Sequence, residues 1–229
     1  MNQRDEENRQ CASPPCFAHE LQLGENGYVV SDAQTAIDVA RWRKAERERL
    51  IALRMAIPAR ERQHHAEQVA ANLDELLAEQ DNAVISVYWP FRAELNLRDW
   101  MHRAVDKGAR IALPVVKAKA QPLIFREWQP GARMTPGVWN IPVPVDGDVL
   151  QPTHVIAPLV GFDAAGYRLG YGGGFFDRTL ASMHERQQYP TVIGVGCAVA
   201  RIPTIHAQPH DIPMNVIITE CDVMQTGRD

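Results

Sequence analysis

The feature that most constrains this chain is a succession of short apolar runs that starts near residue 83. They lie at Ala83–Tyr88, Arg110–Val116, Leu123–Arg126, Thr153–Pro158, Thr191–Val195 and Val216–Thr219. Short apolar runs set between turn residues and richer polar stretches are the pattern of strands covered on both faces. Helical stretches at Leu95–Lys107 and Phe175–Glu185 separate some of them. Strand–helix–strand alternation predicts an α/β fold: a largely parallel central sheet with helices on both faces, three layers in a single domain. In such a sheet, ligands collect at the C-terminal ends of the strands.

Upstream of the strands the texture is helical. Ala33–Ala56 is rich in Ala, Arg, Glu and Leu behind a possible N-cap at Asp32, and Pro58 ends or interrupts that helix. A second helix is expected over residues 59–80, where Val69, Leu73, Leu76 and Leu77 recur at three- and four-residue steps. Residues 1–32 mix Asn, Gln, Pro and charge without sustained periodicity and read as a mobile extension. The expected division is therefore an extension over 1–32, the α/β domain over 33–223 and a tail over 224–229. Between Lys117 and Val149 the density of Gly and Pro rises, which predicts a loop-rich insert with room for one hairpin.

Composition narrows the function classes. With 229 residues, 45% hydrophobic and 23% charged, the chain has enough apolar material for one core and no disorder signature. A formal net charge of −4 gives no global attraction for nucleic acid or anionic lipid, so a small-molecule partner is favoured over either. Cys11, Cys16, Cys197 and Cys221 have neither zinc-finger nor CxxC spacing and read as free thiols of a reducing compartment. Met1–Glu20 lacks the apolar core of a signal peptide, and no run approaches a membrane span, so a cytoplasmic location is expected.

The strongest local motif is Gly161-Phe-Asp-Ala-Ala-Gly-Tyr-Arg168-Leu-Gly-Tyr-Gly-Gly-Gly-Phe-Phe-Asp-Arg178, which follows a predicted strand and opens a helix. Gly170, Gly172, Gly173 and Gly174 let main-chain amides approach a ligand, and the helix behind them turns its positive end to the same place. That is an anion site. Arg168 is suited to a phosphate, and Asp177 in the first helical turn is suited to a divalent cation bridging phosphate oxygens, so together they point to a nucleotide. The plainer alternative is a tight glycine turn with Asp177 as a favourable helix-start charge. The spacing matches neither GxGxxG nor a Walker A loop.

Arg168-Leu-Gly-Tyr171-Gly-Gly-Gly-Phe175-Phe176-Asp177-Arg178 closely resembles the signature loop of the 5-formyltetrahydrofolate cyclo-ligase family, also called methenyltetrahydrofolate synthetases. Three further segments resemble that family in the same order: Tyr88-Trp-Pro-Phe-Arg-Ala-Glu94, Val138-Trp-Asn-Ile-Pro-Val-Pro144 and His210-Asp-Ile-Pro-Met-Asn-Val-Ile-Ile-Thr-Glu220. Four ordered motifs carry far more weight than one. The resemblance covers roughly residues 40–222.

It implies an ATP- and Mg²⁺-dependent conversion of 5-formyltetrahydrofolate to 5,10-methenyltetrahydrofolate. Arg168 and Asp177 would be catalytic. ATP would lie against Gly170–Asp177, with Asp177 holding the metal. Glu94, Trp139 and Phe176 would face the folate, Glu94 accepting from the pterin and Trp139 stacking near the formyl group. From residues alone, Glu94 reads equally as a helix-start carboxylate and Trp139 as a core tryptophan.

The family's Lys-x-x-x-Arg pair toward ATP is met here by Arg43 and Arg47, with Lys44 adjacent; a solvated basic face is the alternative for these residues. Several positions depart from the family pattern. Phe176 stands where many relatives carry tyrosine, Gly194–Arg201 lacks a familiar Glu-Gln or Lys-Gln pair, and Asn215 replaces an aspartate. These leave open a divergent paralogue with a nucleotide site and another substrate, or with a non-catalytic binding role. An RNA-binding relative using Arg41–Arg49 is disfavoured by the acidic net charge. Pro209 disfavours a metal site at His206 and His210, and His64 and His65 read as surface residues.

Overall fold

A computed structural model of the chain describes residues 21–24, 27–30, 33–80 and 83–226. Residues 1–42 and 43–229 form two units. The first contains an antiparallel hairpin of β1 (Leu21–Gly24) and β2 (Gly27–Val30), with Leu21 opposite Val30. It also contains the opening turns of α1 (Ala33–Ala56). The hairpin falls inside the stretch expected to be a mobile extension, whose remaining residues lie outside those described. Four-residue strands are too short to print a readable alternation.

The second unit continues α1 and adds α2 (Ala59–Leu76), β3 (Val84–Ser86), α3 (Arg98–Asp106), β4 (Arg110–Val115) and β5 (Ile124–Trp128). The insert folds as β6 (Met134–Pro136), β7 (Pro142–Pro144) and β8 (Val149–Leu150), with β6 and β7 forming the anticipated hairpin. There follow β9 (His154–Pro158), β10 (Gly161–Phe162), β11 (Arg168–Leu169), α4 (Phe175–Glu185), β12 (Thr191–Val195), β13 (Val216–Ile218) and β14 (Val223–Gln225). The last strand runs two residues past the expected domain end at 223, pairing antiparallel with β13.

Among the described residues the main sheet has eight strands in the order β14-β13-β12-β9-β3-β4-β5-β8. Neighbours from β13 through β4 are parallel, whereas β14, β5 and β8 join antiparallel. This is the expected α/β architecture, with antiparallel strands added at both edges.

Strand alternation sends side chains to two cores. Ile85, Ile111, Ile156, Ile193, Val216 and Ile218 pack on one face with Val69 and Leu73 of α2 and Trp100 and Met101 of α3. Their chain neighbours Val192 and Ile217 face the other way with Leu180 of α4, while Ala112 and Val155 meet Met183. Each large aliphatic side chain so buried stabilises the fold by roughly 1.5–3 kcal/mol. The helices are therefore fixed over the sheet, and the C-terminal ends of β9, β3 and β4 are left to the loops that follow them. No described helix is long and apolar enough to cross a membrane.

Candidate active site

A pocket of about 940 Å³, its open mouth included, lies at those strand ends. Its walls come from the segment after β3, the β6–β7 insert, the end of β9 and the glycine loop before α4. Leaving β9 at Pro158, the chain makes the β10–β11 hairpin. The Asp163 carboxylate closes its turn by accepting from the Ala165, Tyr167 and Ile205 amides. The return strand delivers Arg168 into the pocket, and Gly174, in left-handed backbone with φ 60°, turns the chain into α4. Asp177 therefore sits in the first turn of a helix whose N-terminus faces the cavity.

Arg168 is buried, and its Nη2 lies 3.0 Å from Asp177 Oδ1. Its guanidinium covers the Phe176 ring, centred 5.3 Å away. Its Nη1 is buried without a hydrogen-bond partner. Leaving such a donor unpaired costs about 1–3 kcal/mol or more for a charged group, so this nitrogen is suited to an anionic acceptor. Burial pulls the guanidinium below its ordinary value, with Asp177 opposing. Asp177 Oδ1 also accepts from the Ile212 amide at 3.3 Å. Both contacts fall on one oxygen, which leaves Oδ2 as the face for a cation.

The opposite end is built around Glu94. After β3 the chain turns sharply through Arg92 and Ala93, both at positive φ (47° and 61°). This brings the buried Glu94 carboxylate back to the Phe91 amide (2.8 Å) and to the Tyr171 hydroxyl (2.8 Å). Burial pushes the Glu94 carboxyl up to about 7, against the opposing pull of Arg54, the Tyr171 hydroxyl and the Phe91 amide. α3 begins only at Arg98, so the helix-start reading of Glu94 does not apply.

Trp139 is 52% exposed, which sets aside the core-tryptophan reading. Its ring stacks on Phe91 at 6.1 Å and 13°, and Tyr171 stands 6.0 Å away at 60°. It and Asn140 are held at φ 57° and 59°, backbone strained for residues with a side chain. The three rings make an aromatic wall beside the carboxylate.

The structure brings most of the glycine loop and its flanks into one cavity. Glu94, Trp139, Arg168, Gly170, Tyr171, Gly173, Gly174, Phe175, Phe176 and Asp177 all line one pocket. Gly172 does not; it lies against Arg47, and a Cβ there would come 3.5 Å from the guanidinium carbon. Arg47 Nε donates to the Gly170 carbonyl at 2.6 Å, bracing the loop from behind. Arg43 is buried and committed to the Asp211 carboxylate (2.5 Å) and the Ile205 carbonyl (3.1 Å). Lys44 is exposed. The structure thus brings Arg47 to the loop and brings neither Arg43 nor Lys44 to the pocket lining.

Sequence reasoning missed Arg54. It is buried, and donates to the Arg92 and Leu159 carbonyls (3.1 and 2.9 Å) and to the Tyr171 hydroxyl (2.6 Å). One side chain thereby ties the Glu94 turn, the end of β9 and the glycine loop together. The available signal was positional: Arg43, Arg47, Leu50 and Arg54 recur on one face of α1, and Leu50 is buried against Gly161. Asn215, a departure from the family pattern, exchanges hydrogen bonds with Val192 through its amide and side chain and acts as a strand-end staple.

The fold and the pocket together define an α/β domain with a glycine loop and a buried arginine at one end of its cavity and a carboxylate among aromatic rings at the other. Residues 39–220 match the sequence model of the 5-formyltetrahydrofolate cyclo-ligase family, and the chain belongs to that family. It is 30% identical over 147 residues to the 5-formyltetrahydrofolate cyclo-ligase of Escherichia coli, covering 62% of this chain and 80% of the relative. The Mycolicibacterium smegmatis protein of the same name is 28% identical over 182 residues, covering 74% and 89%. The solved Aquifex aeolicus 5,10-methenyltetrahydrofolate synthetase superposes with a TM-score of 0.68 at 26% identity, covering 82% of this chain and 95% of that one.

Proposed function

We propose that this protein converts 5-formyltetrahydrofolate to 5,10-methenyltetrahydrofolate at the expense of ATP, in the cytoplasm. The observation that carries the reading is the unpartnered, buried Nη1 of Arg168 at the N-terminus of α4, in the same cavity as Glu94 and its aromatic wall. One end asks for an anion and the other for a flat heterocycle with N–H donors.

In this reading the formyl oxygen attacks the γ-phosphorus of ATP, forming an O–P bond as the bond to ADP breaks. N10 then attacks the activated carbon, phosphate leaves with the former formyl oxygen, and the N10 proton is released. No side-chain nucleophile is needed, so the protein's task is placement and charge neutralisation. Arg168 supplies fixed positive charge at the transferred group, together with the N–H groups of the first turn of α4. Arg47 braces the loop from behind by donating to the Gly170 carbonyl. Glu94 has lone pairs left after its two protein bonds and accepts from the pterin, which lies along Trp139 and Phe91.

The residues present also fit Mg²⁺, which binds through one or two carboxylates and substrate phosphates rather than a full protein cage. Asp177 would hold it through Oδ2, and the bound ion would neutralise charge on the phosphate oxygens.

Purified protein given ATP, Mg²⁺ and 5-formyltetrahydrofolate should accumulate the methenyl product, followed by its absorbance. No product under conditions where the Escherichia coli relative turns over would overturn the proposal. The alternative, a paralogue with another substrate, rested on Phe176 and the segment around Cys197. Cys197 does not line the pocket, whereas Phe176 does, with its ring beneath the Arg168 guanidinium, so the departure at Phe176 is the one that bears on the substrate. Calorimetry separates the two readings: tight ATP binding without folate binding supports the paralogue.

A further inference from the structure

A second group of chemistry-bearing side chains lies outside the pocket, where β12 and β13 end beneath α2. Cys197 follows β12, Glu220 follows β13, and His65 comes from the middle of α2. One ligand atom from each lies within 4.8 Å of the others. A four-coordinate ion with bonds of roughly 2.0–2.3 Å sets its ligand atoms roughly 3.3–3.8 Å apart, so a modest contraction completes the geometry.

We propose that His65, Cys197 and Glu220 bind a borderline-soft divalent transition metal of the Zn²⁺ class, through Nδ1, Sγ and a carboxylate oxygen, with water in the fourth position. Nitrogen, sulfur and oxygen donors together select such an ion over Mg²⁺ or Ca²⁺, which take oxygen ligands.

Three details support the assignment beyond proximity. His65 Nδ1 is buried and makes no hydrogen bond, although it points to Glu220 Oε1 at 3.9 Å. The other ring nitrogen, Nε2, lies 3.8 Å from the Glu61 carboxylate one helical turn earlier. Glu61 is exposed and beyond hydrogen-bond distance there; closing by about 1 Å, it would become the outer carboxylate that fixes the tautomer of a ligating imidazole and leaves the inner nitrogen for the metal. Glu220 is pre-oriented, since both its oxygens accept from the Ala198 amide (3.1 and 2.9 Å). The surface reading of His65 is thereby corrected: its side chain is 14% exposed and faces the strand ends.

Metal binding releases the Cys197 thiol proton to solvent and leaves a thiolate on the ion, so affinity rises with pH. The bound ion would cross-link α2 to the ends of two neighbouring parallel strands.

Co²⁺ is the probe, because a cobalt–thiolate bond gives a near-ultraviolet charge-transfer band and tetrahedral cobalt gives visible bands. Reduced full-length protein should bind one Co²⁺ with both signatures, and Zn²⁺ should abolish them at one equivalent. A variant with Cys11, Cys16 and Cys221 all changed to Ser should keep the bands, and Cys197→Ala should lose the charge-transfer band. Glu61→Gln should weaken affinity about tenfold, in the range for an outer partner of a metal ligand. His65→Ala should weaken it further, and serves in place of Cys197→Ala where circular dichroism shows that variant unfolded. Absence of a charge-transfer band, or a band unchanged in Cys197→Ala or in His65→Ala, would overturn the site. Folate turnover plays no part in the readout, so the result stands apart from the proposed activity.

Discussion

At the Glu94 end of the pocket the polar groups already satisfy one another. The carboxylate accepts from Phe91 and Tyr171, and Tyr171 accepts from Arg54, which also holds two carbonyls. At the Arg168 end an ion pair of buried arginine and half-buried aspartate leaves one guanidinium nitrogen with no partner. The difference matches two kinds of ligand chemistry. A heterocycle needs a rigid, correctly protonated edge that exists before it arrives. A phosphate brings its own charge and needs donors that nothing else has claimed.

Arg168→Ala should have the largest effect. Loss of the unclaimed donor should lower kcat/KM by on the order of 10²–10³-fold, the range for removing one preorganised charge-stabilising donor. Steady-state kinetics with ATP varied would show it, and a loss under tenfold would mean that the orphan nitrogen does not meet phosphate. Asp177→Asn comes next. It keeps the shape and the Ile212 contact but removes the charge, so turnover should fall about 10²-fold and the Mg²⁺ requirement should rise. If Asp177 were only a helix-start charge, the change would be roughly 0.3–1 kcal/mol in stability with activity within about twofold.

Glu94→Gln tests the other end, and through pH. The folded carboxyl titrates near 7 against an ordinary 4.5, so between those values the native state keeps a proton that the unfolded chain has released. Stability therefore falls as pH rises through that window, and the loss is complete above about 7. The expected difference between parent and Glu94→Gln, followed by urea unfolding from pH 4.5 to 8, changes by on the order of 3 kcal/mol across the window. Folate KM in the parent should improve as pH rises through 7, because the ionised carboxylate is the better acceptor, and should be flat in the variant. A parallel stability profile for the two proteins would place the titration elsewhere.

The smallest effects separate the basic residues of α1. Arg47→Ala should raise KM for ATP about tenfold by freeing the Gly170 carbonyl, consistent with a charged hydrogen bond worth roughly 1.5–3 kcal/mol. Lys44→Ala should stay within twofold, because the lysine is exposed and off the pocket wall. The reverse order would move the ATP-facing side of α1 by about one residue.

Periodicity and turn chemistry are local, and they placed the six strand runs, the four helices of the α/β unit and the glycine loop with Asp177 at the head of α4. Each is decided within a few residues: apolar content for a strand, Gly174 for the left-handed turn, the helix start for Asp177. The order of four motifs along the chain was enough to indicate the family. The sequence could not reveal contacts made between distant segments. Arg54 escaped notice because the buried face of α1 is lined largely by arginines, so hydrophobic patterning reads that face as solvent. Arg43 meets Asp211 across 168 residues, and Arg54 meets Tyr171 across 117. His65 looked like a surface histidine until β12 and β13 brought Cys197 and Glu220 beneath it. Whether a charged side chain faces water or a partner depends on what the fold sets against it, because burial costs a charge its hydration unless a partner is supplied. That partner comes from elsewhere in the chain, and only the tertiary structure decides which one.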